Sequence, residues 1–192
     1  MSTLDDYGGW TKNILENLNT TGKEGLSTAE YIFRNDVKVV TVDNNATNMW
    51  WKVKVTPTGL KIQNTLYVSR FIAGKEADDA WALMLFVHET RHMQQGFWTA
   101  FSVYGEMEAW QEGFRFYQSL PGHVYVSPFV EQLLALPLSH ERDVLKQARD
   151  LINLDQNGGS SFFQQVGSVL KKERSFNDVY WIHALPLNPI FR

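Results

Sequence analysis

Two histidines and a glutamate that can bind a metal and accept a proton lie near the middle of the chain, at His88, Glu89 and His92. Residues four apart share one face of an α-helix, about 5–6 Å apart at Cβ, so the two imidazoles can converge on one zinc ion. Glu89 is one residue further round the helix than His88, so its carboxylate lies beside the metal rather than on it. From that position it can accept a proton from a water at the metal.

The residues before this motif predict the helix that such a site needs. Residues 80–87 are all apolar, and Asp78 and Asp79 precede them, as expected where a helix begins. A helix that is apolar on nearly all sides belongs in the interior of a protein. Two histidines and a carboxylate at its buried end are costly unless something satisfies them. We therefore favour a metal site over the alternative of satisfied core histidines.

A zinc site needs a third protein ligand, and residues 102–114 predict a second helix that can supply it. Five apolar or aromatic residues recur at spacings of four, three, four and three and form a core stripe: Val103, Met107, Trp110, Phe114 and Tyr117. Beside it runs a strip of small residues, where another helix can approach closely: Gly105, Ala109 and Gly113. Gly96 predicts the end of the first helix, so the two helices form an antiparallel pair.

Glu106 and Glu108 are the two candidates for the third ligand. They are about 200° apart on a helical wheel, so both cannot face the metal. Glu106 adjoins the apolar stripe and the small strip, whereas Glu108 lies away from the stripe with Glu112 one turn on. We favour Glu106 as the ligand, keep Glu108 as the alternative, and interpret Glu112 as a solvated carboxylate.

Together these residues resemble the gluzincin class of zinc metallopeptidases, in which H-E-x-x-H and a downstream glutamate bind zinc. Residues 106–113 are similar to the E-x-E-A-x-x-x-G pattern of CAAX-processing-type peptidases and, more loosely, to the E-x-x-A pattern of ImmA/IrrE-type peptidases. In both families the first glutamate is the ligand, which supports Glu106. The alignment departs at Trp110, where an aspartate or asparagine often follows the alanine. A rival alignment to thermolysin-like enzymes matches Glu108, Ala109 and Glu112.

The resemblance covers residues 76–118 and includes His92-Met93-Gln94-Gln95, similar to an H-x-x-Q extension in several small bacterial metallopeptidases. It implies a compact, minimal gluzincin. The zincin order is a sheet, then the metal helix, then the glutamate helix, and we expect that order in an α+β fold forming a single domain over residues 1–192. The resemblance also implies that an edge strand pairs with the peptide substrate, and Leu66–Ile72 is our candidate strand.

Alternating and Val-rich segments predict a small antiparallel sheet before the metal helix. Its expected strands are residues 37–42, 51–55, 60–63 and 66–72, with a turn at Pro57-Thr58-Gly59 and Asn64 ending the third strand. Helical spacing predicts further helices within residues 8–34, 128–136, 139–151 and 162–170. Residues 156–160 predict a loop, and the prolines within residues 184–189 exclude a helix there.

Composition limits the other function classes. The net charge of −3 and the absence of a basic run argue against a nucleic-acid or anionic-membrane surface. The chain has no cysteine, so disulfides and thiolate metal sites are excluded. The polar, acidic first residues contain no secretory signal, and the apolar run of residues 80–87 is too short to span a bilayer. We expect a soluble protein, cytoplasmic by default; the sequence leaves its location and its oligomeric state unknown.

The function predicted from these residues is a zinc metallopeptidase (a hydrolase) that acts on peptide or protein substrates, with Glu89 as general base. The alternative is a binding or sensor module of the zincin fold, weakly active or inactive, in which zinc is structural or regulatory. A residue that stabilises the transition-state oxyanion is also expected. Spacing alone leaves five candidates for it: Tyr104, Tyr117, His123, Tyr125 and His183.

Overall fold

The computed structural model describes residues 3–43, 49–57, 59–122 and 127–155. These residues form an α+β fold with one small sheet and mostly helices, as predicted. After a 3₁₀ turn at Leu4–Asp6, the elements in chain order are α1 (Gly9–Thr20), α2 (Gly22–Arg34), β1 (Lys38–Val42), β2 (Met49–Thr56), β3 (Gly59–Ser69), α3 (Arg70–Ala73), α4 (Ala80–Gln95), α5 (Phe97–Ala100), α6 (Val103–Ser119), α7 (Pro128–Ala135) and α8 (Arg142–Asp155). The loop, helix and tail predicted beyond residue 155 lie outside the described residues.

The described residues group into two compact units. The larger unit contains the residues up to Phe97 and those from Ala109 to Gly122. The smaller unit contains Trp98–Glu108 and the residues from Ser127 onward. Helix α6 belongs to both, because the boundary falls between Glu108 and Ala109 within it. The single domain expected for residues 1–192 stays a prediction.

The sheet has the strand order β1-β3-β2, with β3 in the centre. Strand β2 pairs with β3 in the antiparallel direction, but β1 pairs with β3 in the parallel direction. The prediction of a purely antiparallel sheet was therefore wrong. Helices α1 and α2 precede β1, and β2 is the element that the described residues form between β1 and β3.

Strand β3 corrects two further predictions. It runs without interruption from Gly59 to Ser69, although Asn64 was expected to end a strand. The register between β2 and β3 instead shifts near Asn64, and that side chain donates a hydrogen bond to the Asn35 carbonyl oxygen at 3.0 Å. Leu66–Ile72 was proposed as the edge strand, but residues 66–69 lie in the central strand and residues 70–73 form α3. The residues that offer an unpaired edge within the described sheet lie in β1 and β2.

Helix α4 forms the centre of the larger unit because almost every face of it is apolar. Eleven of its sixteen residues are buried, including Ala80 at its start. Helix α2 and the sheet pack around it. Asp79 caps its start by accepting a hydrogen bond from the Ala82 amide at 2.9 Å, as the acidic residues predicted. Its end is at Gly96, whose φ of +77° is a conformation that glycine adopts without strain.

Helix α2 is tied to the last turn of α4 by one side chain. The hydroxyl of Tyr31 donates a hydrogen bond to the Met93 carbonyl oxygen at 3.0 Å. That carbonyl is one of the last four of α4, which have no partner within the helix. Burial raises the pKa of Tyr31, so the hydroxyl keeps its proton and remains a donor. This contact fixes the turn of α4 that carries His92.

The smaller unit contains α7 and α8, which pack against each other through Val130, Leu133, Leu145 and Ala148. Ser127 caps α7 by accepting a hydrogen bond from the Val130 amide at 3.2 Å, and Pro128 occupies the first helical position. Helix α8 begins at Arg142 rather than at Ser139 as predicted, because Ser139 forms a turn by accepting a hydrogen bond from the Glu141 amide.

The described helices contain no segment with the length and apolar character needed to cross a membrane.

The close packing of α1, α2 and α6 gives a testable prediction at Gly25. A Cβ atom built on Gly25 would lie 2.5 Å from the Leu18 carbonyl oxygen and 2.9 Å from a Phe116 ring carbon. The backbone oxygen cannot move freely, so Gly25→Ala should lower the free energy of unfolding by about 1–3 kcal/mol despite the better helix propensity of alanine. Urea denaturation measures this change.

Gly8→Ala is the matched control. No atom lies within 4 Å of a Cβ at Gly8, whose φ is −99°, so alanine fits there. Since Gly8 is the N-cap of α1, the substitution should cost no more than about 1 kcal/mol. A Gly25→Ala variant as stable as the wild-type protein would show that α1 and α2 do not approach each other as described.

Candidate metal site

Helix α4 supplies two imidazoles that point at each other. The Nε2 atoms of His88 and His92 are 3.2 Å apart, and the rings meet edge to face with their centroids 4.7 Å apart. Both residues are buried, with 4% and 2% of their surfaces exposed. The four-residue spacing predicted this shared face. Only one turn of helix separates the two side chains, so backbone geometry alone brings the nitrogens together.

Helix α6 supplies the carboxylate from its first turn. Ser102 caps that turn, since its hydroxyl accepts a hydrogen bond from the Gly105 amide at 3.0 Å and donates one to the Thr99 carbonyl oxygen at 2.7 Å. The Glu106 amide donates to the Ser102 carbonyl oxygen, which begins the regular helix. Glu106 is 4% exposed, an unusual degree of burial for a carboxylate. The cap therefore determines where on the helix Glu106 lies.

His88, His92 and Glu106 together form a group that can hold a metal ion. Each offers one ligand atom, and these atoms all lie within 4.8 Å of one another. Among the described residues this is the one cluster of three or more potential ligand side chains with such geometry. Two imidazole nitrogens and one carboxylate oxygen are a donor set that binds zinc and other divalent transition metals. The group also fits a cation chemically, because each of the three side chains can offer a lone pair to it.

Glu89 lies beside this cluster. One carboxylate oxygen of Glu89 is 4.0 Å from His88 Nε2, the same nitrogen that faces His92. The Glu89 side chain is 14% exposed, so it is largely buried yet retains access to solvent. It is not one of the three clustered groups, and its role as a base beside a metal stays a prediction.

The two other glutamates of α6 behave differently from Glu106. Glu108 is half-buried and is outside the cluster, so Glu106 is the glutamate that the fold brings to the histidines. Glu112 was interpreted as a solvated carboxylate, and this was wrong. A carboxylate oxygen of Glu112 is 3.2 Å from the Arg91 guanidinium, and both side chains are mostly buried. This ion pair joins α4 to α6.

Two tryptophans that the sequence did not assign to the site contact its histidines. The ring centroid of Trp110 is 4.2 Å from that of His88, and the ring centroid of Trp51 in β2 is 5.9 Å from that of His92. Trp110 is four residues after Glu106 and therefore shares its helix face, a signal that the spacing contained. Trp51 reaches the site through strand pairing and packing, which no local pattern reveals.

Of the five candidates for stabilising an oxyanion, two lie among the described residues, Tyr104 and Tyr117. Tyr104 stacks on His140 with ring centroids 4.0 Å apart, within the smaller unit. Tyr117 is eleven residues after Glu106 on the same helix, about 16 Å along its axis, so it is far from the carboxylate of the cluster. His123, Tyr125 and His183 lie outside the described residues. Which residue would serve in this role stays open among these candidates.

Comparison of the chain with protein-family models, with curated proteins and with solved structures finds no match. The function is therefore argued from the residues of the site and their geometry.

The choice between Glu106 and Glu108 gives a second prediction. Glu106→Gln keeps the side-chain shape but removes a carboxylate ligand. Loss of a residue that only contacts a metal ligand costs about 10–100-fold in affinity, so loss of the ligand itself should lower zinc affinity by more than that. The same change at the control position, Glu108→Gln, should leave one zinc per chain. Elemental analysis and competition with a chelating dye measure both quantities. Full zinc content in Glu106→Gln together with its loss in Glu108→Gln would move the third ligand to Glu108.

Proposed function

We propose that the chain is a zinc metallopeptidase of the gluzincin type, in which His88, His92 and Glu106 bind the metal. The observation that carries this proposal is the burial of these three groups with their ligand atoms within 4.8 Å, next to the carboxylate of Glu89. The H-E-x-x-H spacing supports it, because that pattern on a helix gives two ligands and an adjacent base.

Zinc is favoured over other metals by the residue beside the cluster. Two histidines and one carboxylate also suit ferrous iron in oxygenases. A hydrolytic site differs in needing a base next to the metal, and Glu89 provides one within 4.0 Å of His88 Nε2. When bound, zinc would lower the pKa of a water to about 7 and polarise the carbonyl that the water attacks.

Glu89 performs the proton transfers in the proposed reaction. Its carboxylate accepts a proton from the attacking water as the new C–O bond forms at the peptide carbonyl carbon. It then delivers that proton to the amide nitrogen as the C–N bond breaks, which leaves a carboxylic acid and an amine. The partial burial of Glu89 suits this role, since it keeps the carboxylate close to the reacting atoms while leaving a path to solvent.

An edge strand next to the site offers a way to hold an extended peptide. Strand β2 pairs with β3 along one edge, and its other edge is the margin of the described sheet. The Trp51 ring of this strand contacts the ring of His92. An extended substrate can add to such an edge through backbone hydrogen bonds. We therefore assign to β2 the substrate-pairing role that the sequence had suggested for Leu66–Ile72.

Substitution of Glu89 tests the proposed reaction. Glu89→Gln should retain one zinc per chain, because Glu89 is not a ligand, but peptide hydrolysis should fall by at least about 10²-fold, since the amide cannot act as a base. The assay is mass spectrometry of a peptide library incubated with the zinc-loaded protein. Glu108→Gln, the same chemical change at an α6 carboxylate outside the cluster, should cleave at the wild-type rate.

Two outcomes would overturn the proposal in different ways. Hydrolysis by Glu89→Gln at the wild-type rate would exclude Glu89 as the base. A wild-type protein that holds zinc but cleaves no peptide in the library would favour the binding or sensor module, in which the metal is structural or regulatory.

A further inference from the structure

The ring of His92 has a hydrogen-bonding partner on the side away from His88. The Nδ1 atom of His92 is 3.1 Å from Oε1 of Gln95, three residues later in the last turn of α4. The Nε2 atom of the same ring faces His88. One nitrogen of His92 therefore contacts a carboxamide, and the other belongs to the metal-binding cluster.

The chemistry of the carboxamide decides which nitrogen of His92 carries the proton. An amide oxygen can only accept a hydrogen bond, so the Nδ1 atom that faces it must be the donor. A neutral imidazole carries a single N–H, and the Nε2 atom of His92 is then left with its lone pair available. That is the form in which an imidazole binds a metal through Nε2.

We infer that Gln95 is a positioning residue that holds the His92 ring with its Nε2 atom available to the metal. This inference rests on the metal site of the proposed function but not on peptide hydrolysis. His92 then has its Nε2 lone pair available before the metal binds, and the contact with Gln95 contributes to the affinity for the metal.

Two substitutions at Gln95 separate hydrogen bonding from packing. Gln95→Met fills a similar volume without an acceptor and should lower zinc affinity by about 10–100-fold. Gln95→Glu restores an acceptor for the Nδ1 proton and should bind zinc at least as tightly as the wild-type protein. The control is Gln94→Met, because the side chain of Gln94 accepts its hydrogen bond from Arg91 instead. The zinc affinity of this variant should equal that of the wild-type protein.

Nitrogen-15 NMR of the imidazoles reports on the tautomers independently of affinity, and the chain has five histidines to resolve. In the wild-type protein, His92 should be protonated at Nδ1 both with and without zinc. In Gln95→Met, His92 should instead populate both tautomers.

The two measurements distinguish failure of this inference from failure of the proposed function. A wild-type His92 protonated at Nε2, or zinc affinity in Gln95→Met equal to that of the wild-type protein, would overturn the role of Gln95 while leaving the metal site intact. A wild-type protein that does not bind zinc would overturn both the metal site and the positioning role. Zinc binding without peptide cleavage would overturn only the proposed reaction.

Discussion

The burial of two imidazoles and a carboxylate in one small space is the constraint on which this structure depends. Removing Glu106 from water is unfavourable unless a positive group or several hydrogen bonds compensate for its charge. The histidines that face it are four residues apart on a helix that is otherwise apolar. These three groups could hold a divalent cation, and binding it would offset part of the cost of burying them together.

Three kinds of contact hold the helix that supplies both imidazoles. A Cβ atom on Gly113 would lie 3.0 Å from the Met84 sulfur, so α6 approaches α4 at a position where only a small residue fits easily. The largely buried ion pair between Arg91 and Glu112 joins the same two helices. At the end of α4, Tyr31 fixes the turn that contains His92. Packing, an ion pair and a hydrogen bond thus act together to hold the helix that supplies both imidazoles.

Local sequence patterns predicted the parts of the site that depend on helix geometry. The spacing of His88 and His92, the cap at Asp79 and the end at Gly96 each involve neighbouring residues of one helix, so a period of 3.6 residues is enough to derive them. The preference for Glu106 over Glu108 followed from the same period, because only one of them adjoins the apolar stripe. The metal identity and the reaction are predictions from these residues and their chemistry.

The features that the sequence did not predict depend on contacts between distant segments. The parallel pairing of β1 with β3 is a long-range choice that alternation of apolar residues does not encode. Asn64 was interpreted as the end of a strand, yet β3 continues past it with a shift in register. Trp51 and Glu112 looked like an ordinary strand residue and a solvated carboxylate. Their contacts with His92 and Arg91 exist only because separate elements pack together.

Zinc K-edge X-ray absorption on the zinc-loaded wild-type protein tests the central claim most directly, because it reports the ligands of the metal itself. The proposed site predicts two imidazole nitrogens at about 2.0–2.1 Å and a carboxylate oxygen at about 2.0–2.2 Å. The second imidazole should disappear from the spectrum of His88→Gln. A wild-type spectrum without imidazole scattering, or one unchanged by that substitution, would contradict a metal centre at His88, His92 and Glu106.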